Sequence, residues 1–229
     1  MPIYIITLMK LESVGILISL RPFNERDAIA RIFCRDFGVI AGMMRGAVVA
    51  KKNKPLVGQF GTFTWNARLD SELGVIHWET ERNMVALIMN DSNKLKYVNA
   101  IFDLVNTLLP ERESYERLYN KTYEFLSRLG MSTNPSPEYL DWEMLLIGEM
   151  GYALDLGRCS GCGTQENLHY ISPKTGRAVC DTCAAPYISR LYKMPVSMDI
   201  TLKFLEKICS DTGVNIPVAR KIVSNKNFS

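Results

Sequence analysis

Histidine is scarce in this sequence, with two among 229 residues. A site built on imidazole as acid, base or metal ligand is therefore not expected, and no H-E-x-x-H pair occurs. A G-x-x-x-x-G-K-[ST] phosphate loop and a G-x-S-x-G elbow are also missing. Their absence excludes a Walker-type nucleotide site and an α/β-hydrolase nucleophile. Carboxylates are left as the acid–base groups available in number. No run of eighteen apolar residues exists, so no membrane-spanning helix is expected. The opening segment Met1–Leu8 is apolar but short, and it lacks the basic start and cleavage site of an export signal. It is expected to be a frayed tail, or the result of a start read too early, with Met9 as the alternative. A chain without an export signal belongs in a reducing compartment, the cytoplasm, where disulfides are rare.

A strong charge of one sign is lacking too, since the net charge is only +3. Its distribution is uneven. Residues 1–82 carry 11 basic and 8 acidic groups, residues 83–150 carry 6 and 10, and residues 151–229 carry 10 and 6. Within 21–54 the balance is 8 basic to 3 acidic. Such a patch suits a polyanion, because neutralising phosphates releases counterions. A solvated surface has the same composition, so the patch alone decides nothing.

The first part of the chain reads as strands. Short apolar runs at Val14–Leu20, Ala28–Phe33, Val39–Met44, Gly58–Trp65 and Leu73–Trp78 are separated by glycine and charged turns. Five strands in about 80 residues fit a small antiparallel barrel of the OB type. The polar stretch Arg45–Pro55 reads as a long flexible loop.

Beyond residue 82 the apolar period becomes helical. Ile101, Val105 and Leu108 share one face; Leu118, Phe125 and Leu129 share another, with Gly130 as the stop. Between them, Glu111 and Glu113 favour a new helix start after Pro110. Ser136 suits an N-cap with Pro137 in the first helical position, and Trp142, Leu145, Leu146 and Met150 point toward a core before a stop at Gly151. A helix from near Ser197 carries Ile200, Phe204 and Ile208, and a short one spans Pro217–Ser224. The fold class is α+β: an N-terminal OB-fold barrel (1–82), then a mainly helical domain (83–229) with a cysteine insert (157–187).

That insert carries the strongest motif. Cys159-Ser160-Gly161-Cys162 and Cys180-Asp181-Thr182-Cys183 form two C-x2-C turns seventeen residues apart. Each turn converges two thiolates, and a pair of turns closes a tetrahedron around Zn2+. Four protein ligands leave no open position, so the ion is structural and activates no water. The spacer from Leu168 to Val179 alternates around Pro173-Lys174-Thr175-Gly176 and reads as a hairpin. His169 is a surface residue of that hairpin, and Cys34 and Cys209 are buried apolar residues. His77-Trp78-Glu79 matches the H-x-E of zinc deaminases. The cysteines come more than 75 residues later and neither pair follows a proline, so it is read as a strand at the barrel edge.

Several blocks resemble the RecO family. Gly15-Ile16-Leu17-Ile18-Ser19-Leu20-Arg21-Pro22-Phe23-Asn24-Glu25 resembles its opening strand and turn, with Asn24-Glu25 where Gly-Glu is usual. Arg35-Asp36-Phe37-Gly38 and Met44-Arg45-Gly46-Ala47 are similar to its second and third strands. Leu109–Glu113, Trp142-Glu143, Gly151–Leu156 and Tyr170–Val179 look like its helical domain and zinc insert, most closely in alphaproteobacterial members. The resemblance covers residues 12 to about 196 in order, and all four cysteines are kept where some members have lost them. It implies a non-enzymatic DNA repair and recombination protein associated with the nucleoid. Such a protein binds single- and double-stranded DNA, anneals complementary strands, and contacts RecR and the tail of the single-strand-binding protein, so that RecA loads on gapped DNA.

On an OB barrel, cations track phosphates and aromatics stack on bases. The phosphate-contacting pool is Arg21, Arg26, Arg31, Arg35, Arg45, Lys51, Lys52 and Lys54, with some arginines expected to pair with Glu25, Asp27 or Asp36 instead. Phe60, Phe63 and Trp65 are expected in the core rather than as stacking platforms. Lys174 and Arg177 flank the hairpin turn and extend the DNA path. Two rivals compete with this reading: a nucleic-acid enzyme that docks through the knuckle, and a zinc-stabilised protein-interaction module without direct DNA binding.

Overall fold

A computed structural model describes residues 9–67 and 73–224; the expectation for Met1–Leu8 lies outside them. Five strands form the first part: β1 (Met9–Pro22), β2 (Ala28–Cys34), β3 (Gly38–Met44), β4 (Gln59–Ala67) and β5 (Gly74–Asn83). They close into a barrel in the order β1-β2-β3-β5-β4, the OB order. All pairings are antiparallel except β3 with β5, where Gly42 faces Gly74 and Met43 faces Val75.

Strand alternation sets the core. On β4 every second residue from Gln59 to Ala67 points inward and is buried. Phe63 and Trp65 meet Leu17, Ile32, Ile40 and Ile76 there, each large apolar side chain contributing roughly 1.5–3 kcal/mol by its removal from water. The Trp65 indole N–H donates to the Ala41 carbonyl at 3.0 Å. Only glycine fits at the start of β5, since a Cβ on Gly74 would lie 2.2 Å from the Trp65 ring.

Two helices complete this first compact unit, which takes in residues 1–132. They are α1 (Ser92–Leu108) and α2 (Glu116–Leu129). Asp91 caps α1 by accepting from the Lys94 N–H. From α2, Tyr119 packs edge-on against Phe33 and Tyr123 against Phe60, at 5.5 and 5.3 Å between centroids. The expected helix start at Glu111 is corrected to Glu116. Glu111 bridges to Val39 and the Arg112 N–H donates to the Val39 carbonyl at 3.0 Å, so this backbone runs as an extra strand-like edge. Gly130 ends α2 in a right-handed conformation, without the left-handed turn typical of a glycine stop.

The second compact unit covers residues 133–229. Helix α3 (Ser136–Ile147) begins at Ser136 itself, so Ser136 lies inside the first turn and its N–H is met by the Asn134 carboxamide oxygen at 3.3 Å. Trp142 and Leu146 are buried as expected, whereas Leu145 and Met150 are only half-buried, and Glu143 and Ile147 take their places. The chain leaves through one π-helical turn, Gly148–Tyr152, in which Gly151 adopts φ 85°. A small sheet of β6 (Leu168–Ile171), β7 (Ala178–Cys180) and β8 (Tyr192–Lys193) follows, with the one-turn helix α4 (Asp181–Ala184) after β7. Helices α5 (Met198–Thr212) and α6 (Val218–Ser224) end the described chain. Among the described residues no helix is long and apolar enough to cross a membrane.

Candidate nucleic-acid interface and metal centre

The basic residues divide by what already holds them. Ala28 pairs with both Pro22 and Met44, so the β1–β2 turn and the start of the loop after β3 share one end of the barrel. Hydrogen bonds join them: Gly46 N–H to Asp27 Oδ1 at 2.8 Å, and Val48 N–H to the Arg26 carbonyl at 3.0 Å. The first half of the 45–55 loop is thus anchored. The Gly46 N–H, then Asn24, then the charges of Arg26 and Arg45 hold the Asp27 carboxyl below its ordinary range. Arg26, Arg45, Lys51, Lys52 and Lys54 are exposed at this end. Arg21, exposed on β1, has Asp103 of α1 as an electrostatic neighbour.

Two of the predicted arginines are engaged elsewhere. Arg31 pairs with Glu111 at 2.8 Å and Arg35 with Asp36 at 3.2 Å. Asp36, held low first by the Ser13 hydroxyl and then by Arg35, is one of the acids expected as a partner. Glu111, 80 residues from Arg31, was not foreseen.

The second half of the loop is held by a residue that sequence reasoning missed. Gln59 is 7% exposed. Its Oε1 accepts from the Leu56 N–H at 2.9 Å, and its Nε2 donates to the Lys54 carbonyl at 3.3 Å. The parity of Phe63 and Trp65 along β4 was the available signal that Gln59 points inward. Also missed was Arg112, whose guanidinium lies 4.5 Å from the Trp65 ring centroid. Phe63 and Trp65 are core residues, and Phe60 packs beneath Arg82 on the outer face.

The four cysteines of the insert converge. The Sγ atoms of Cys159, Cys162, Cys180 and Cys183 all lie within 4.8 Å of one another. Cys162 and Cys180 are 3.6 Å apart, against an edge of about 3.8 Å for a tetrahedron with ~2.3 Å metal–sulfur bonds. The first pair sits in a turn closed by Gly163 N–H to the Cys159 carbonyl at 2.9 Å and tied to β7 by Ser160 N–H to the Ala178 carbonyl at 2.8 Å. The second pair spans the end of β7 and α4. A Cβ on Gly161 would come within 2.9 Å of the Cys183 sulfur.

The donor chemistry fits a dication. N–H groups from Cys180, then Cys162, then Gly161 bring the Cys159 thiol down to about 6. Cys183, donating toward the other three sulfurs, is instead pushed up to about 12. Four thiolates this close cannot ionise together unaided, and a metal cation supplies the missing charge. His169 stays outside the cluster, its Nδ1 2.9 Å from Asp181. Cys34 and Cys209 are buried, and burial raises the Cys34 thiol to about 12. On the hairpin, Arg177 pairs with Asp155 at 3.4 Å and Lys174 is exposed. His77 and Glu79 are exposed on β5 of the first unit, while the metal-ligand cluster consists of cysteines alone.

An OB-type barrel with an exposed basic end and a four-cysteine knuckle in the same chain define the architectural class. Comparison with known proteins narrows it. The family model for recombination protein O, N terminal, matches residues 9–82, and that for its C terminal matches residues 89–214. The DNA repair protein RecO of Dinoroseobacter shibae is 36% identical over 186 residues, 80% of this chain and 77% of that protein. The DNA repair protein RecO of Cereibacter sphaeroides is 37% identical over 192 residues, 83% of this chain and 79% of that protein. The RecO of Jannaschia is 35% identical over 202 residues, 87% and 82% of the two chains. This chain belongs to the recombination protein O family.

Proposed function

We propose that this protein mediates DNA repair and homologous recombination in the bacterial cytoplasm, at the nucleoid. It binds single- and double-stranded DNA and anneals complementary strands. It contacts RecR and the tail of the single-strand-binding protein, so that RecA loads on the DNA. The observation that supports this best is the clustering of the exposed Arg26, Arg45, Lys51, Lys52 and Lys54, with Asp27 as the acid beside the two arginines, at one hydrogen-bonded end of an OB barrel. Arg21 extends that surface. Arg31 and Arg35 contribute only if DNA displaces Glu111 and Asp36, and Lys174 and Arg177 form a second contact on the knuckle hairpin. Residues 1–82 act as the nucleic-acid-binding domain and residues 83–229 as the domain that carries the knuckle. One Zn2+ sits among Cys159, Cys162, Cys180 and Cys183 and keeps the knuckle folded.

Annealing of this kind involves no bond-making step. Binding two strands neutralises their mutual repulsion and raises their local concentration. Replacing Lys51, Lys52 and Lys54 together with glutamine should weaken oligonucleotide binding and reduce the salt slope for a single strand by about 2, at roughly 0.7 per lost phosphate contact. Anisotropy titrations across a salt series measure this, and an unchanged slope removes the loop from the interface. Annealing should run fully without nucleotide; a strict ATP requirement would overturn the passive mechanism.

A second reading has its own support in the knuckle unit. An apolar cleft of about 460 Å³, lined by Gly161, Pro173, Val179, Tyr187 and Leu191, lies beside the cysteines, and Tyr187 and Ile188 are about half exposed. This face suits a protein partner. If the chain binds no DNA even at low salt, the protein-interaction reading replaces the DNA-binding one.

A further inference from the structure

We infer that the cleft at the mouth of the barrel is a subsite for one unpaired nucleobase, with Trp78 as its stacking face. The inference rests on the barrel being a DNA-binding surface. The cleft lies between the 45–55 loop and β5 and measures about 320 Å³. That is the lower end of the roughly 300–1,000 Å³ range of small-ligand sites, a size for a single base or nucleotide.

Its walls differ in character. The loop side presents Arg45 and Asn53, next to the three lysines; the β5 side presents His77, Trp78 and Glu79. The Glu79 carboxylate repels a phosphate and accepts from an exocyclic amino group. A strand is therefore oriented with its backbone along the loop and a base turned toward β5. Trp78 is half-buried, packed against the barrel core while also lining the cleft. Its indole N–H is already satisfied by Thr80 Oγ1 at 2.9 Å, and Thr80 Oγ1 donates to Gln59 Oε1 at 2.9 Å. The ring's one polar atom is thus used internally, and its orientation is fixed by the same amide that holds Lys54 and Leu56. The base platform and the lysine loop share one anchor.

Of the three tryptophans, Trp65 and Trp142 are fully buried, so emission changes on stacking report on Trp78. The test titrates the full-length protein with oligodeoxycytidylate, whose bases carry an exocyclic amino group, and, separately, with duplex DNA, following tryptophan emission and the anisotropy of a labelled strand in parallel. The expected result is quenching by the single strand that saturates with its binding, and none by duplex, whose bases are paired. W78L should lower single-strand affinity roughly 5- to 150-fold, the range for losing one base–aromatic stack, and leave duplex affinity unchanged. W78F should retain most of the affinity. Should W78L fail to fold, the wild-type quenching and W78F still decide. Single-strand binding by anisotropy with unchanged emission overturns the Trp78 subsite and leaves the DNA-binding surface standing. Absence of binding to either DNA at low salt overturns both.

Discussion

At the scale of single residues, two contacts govern whether the sites keep their shape. A methyl group on Gly161 would lie 2.9 Å from the Cys183 sulfur and 3.3 Å from its Cβ, so one or the other must shift. Gly161→Ala should displace Cys183 from the tetrahedron and lower metal affinity on the order of 10- to 100-fold, as for other changes that misalign a ligand. Competition with a zinc indicator measures it, and native affinity would show that the turn accommodates the methyl. Asp27 is the corresponding residue at the basic end. Its folded-state carboxyl is held low, chiefly by the Gly46 N–H. The stabilisation it contributes is therefore present above the ordinary value of about 3.9 and is lost as pH falls through the depressed one. The loop anchor is intact at neutral pH and released only in acid. The Gly46 amide shift, followed by NMR, should titrate with a midpoint below about 3.9; a midpoint at or above that value would mean the carboxylate does not hold the loop.

At the scale of elements, one buried ion pair joins three helices. Arg220 of α6 and Glu143 of α3 are both fully buried. The guanidinium meets both carboxylate oxygens and donates to the Met198 carbonyl at 2.7 Å. The Thr201 hydroxyl of α5 donates to Glu143 Oε2. Arg220→Met alone should destabilise the second unit by about 3–5 kcal/mol, because it leaves a buried carboxylate uncompensated, while Arg220→Met with Glu143→Leu should cost much less. Urea denaturation of both variants checks this, and a mild effect of the single change would contradict it. This pair also shows where sequence reading stops. Short apolar runs between glycine and charged turns revealed the barrel, the periods of Ile101 and Phe204 revealed helices, and the two C-x2-C turns revealed the metal cluster, because each pattern is local. Glu143 and Arg220 are 77 residues apart, and nothing local separates them from solvated charges. The same holds for Arg31, whose partner Glu111 lies on a segment that reads as a helix start, and for Gln59, whose role depends on a loop folding back over it.

At the scale of the molecule, metal binding and the barrel belong to different compact units. The knuckle's own core is small: Cys159, Val179, Cys180 and Ala184, with Leu168, Tyr170 and Leu191 against it. Metal binding is then a substantial part of its folding energy. Chelation should remove amide protection in 155–193 and leave 9–67 protected in hydrogen-exchange mass spectrometry; simultaneous loss in both would show that the barrel depends on the metal. The segment between α1 and α2 bears on how the barrel is made during synthesis. Arg112 covers Trp65, Glu111 neutralises Arg31, the Glu113 carbonyl lies against Gly38, and the Ser114 hydroxyl reaches the Arg35 carbonyl at 2.8 Å. None of these residues exists when β5 has just been translated. At roughly 5–20 residues per second, a nascent chain spends seconds with five strands made and this end of the barrel still uncovered. During that interval Arg31 lacks the Glu111 carboxylate that pairs with it in the finished fold.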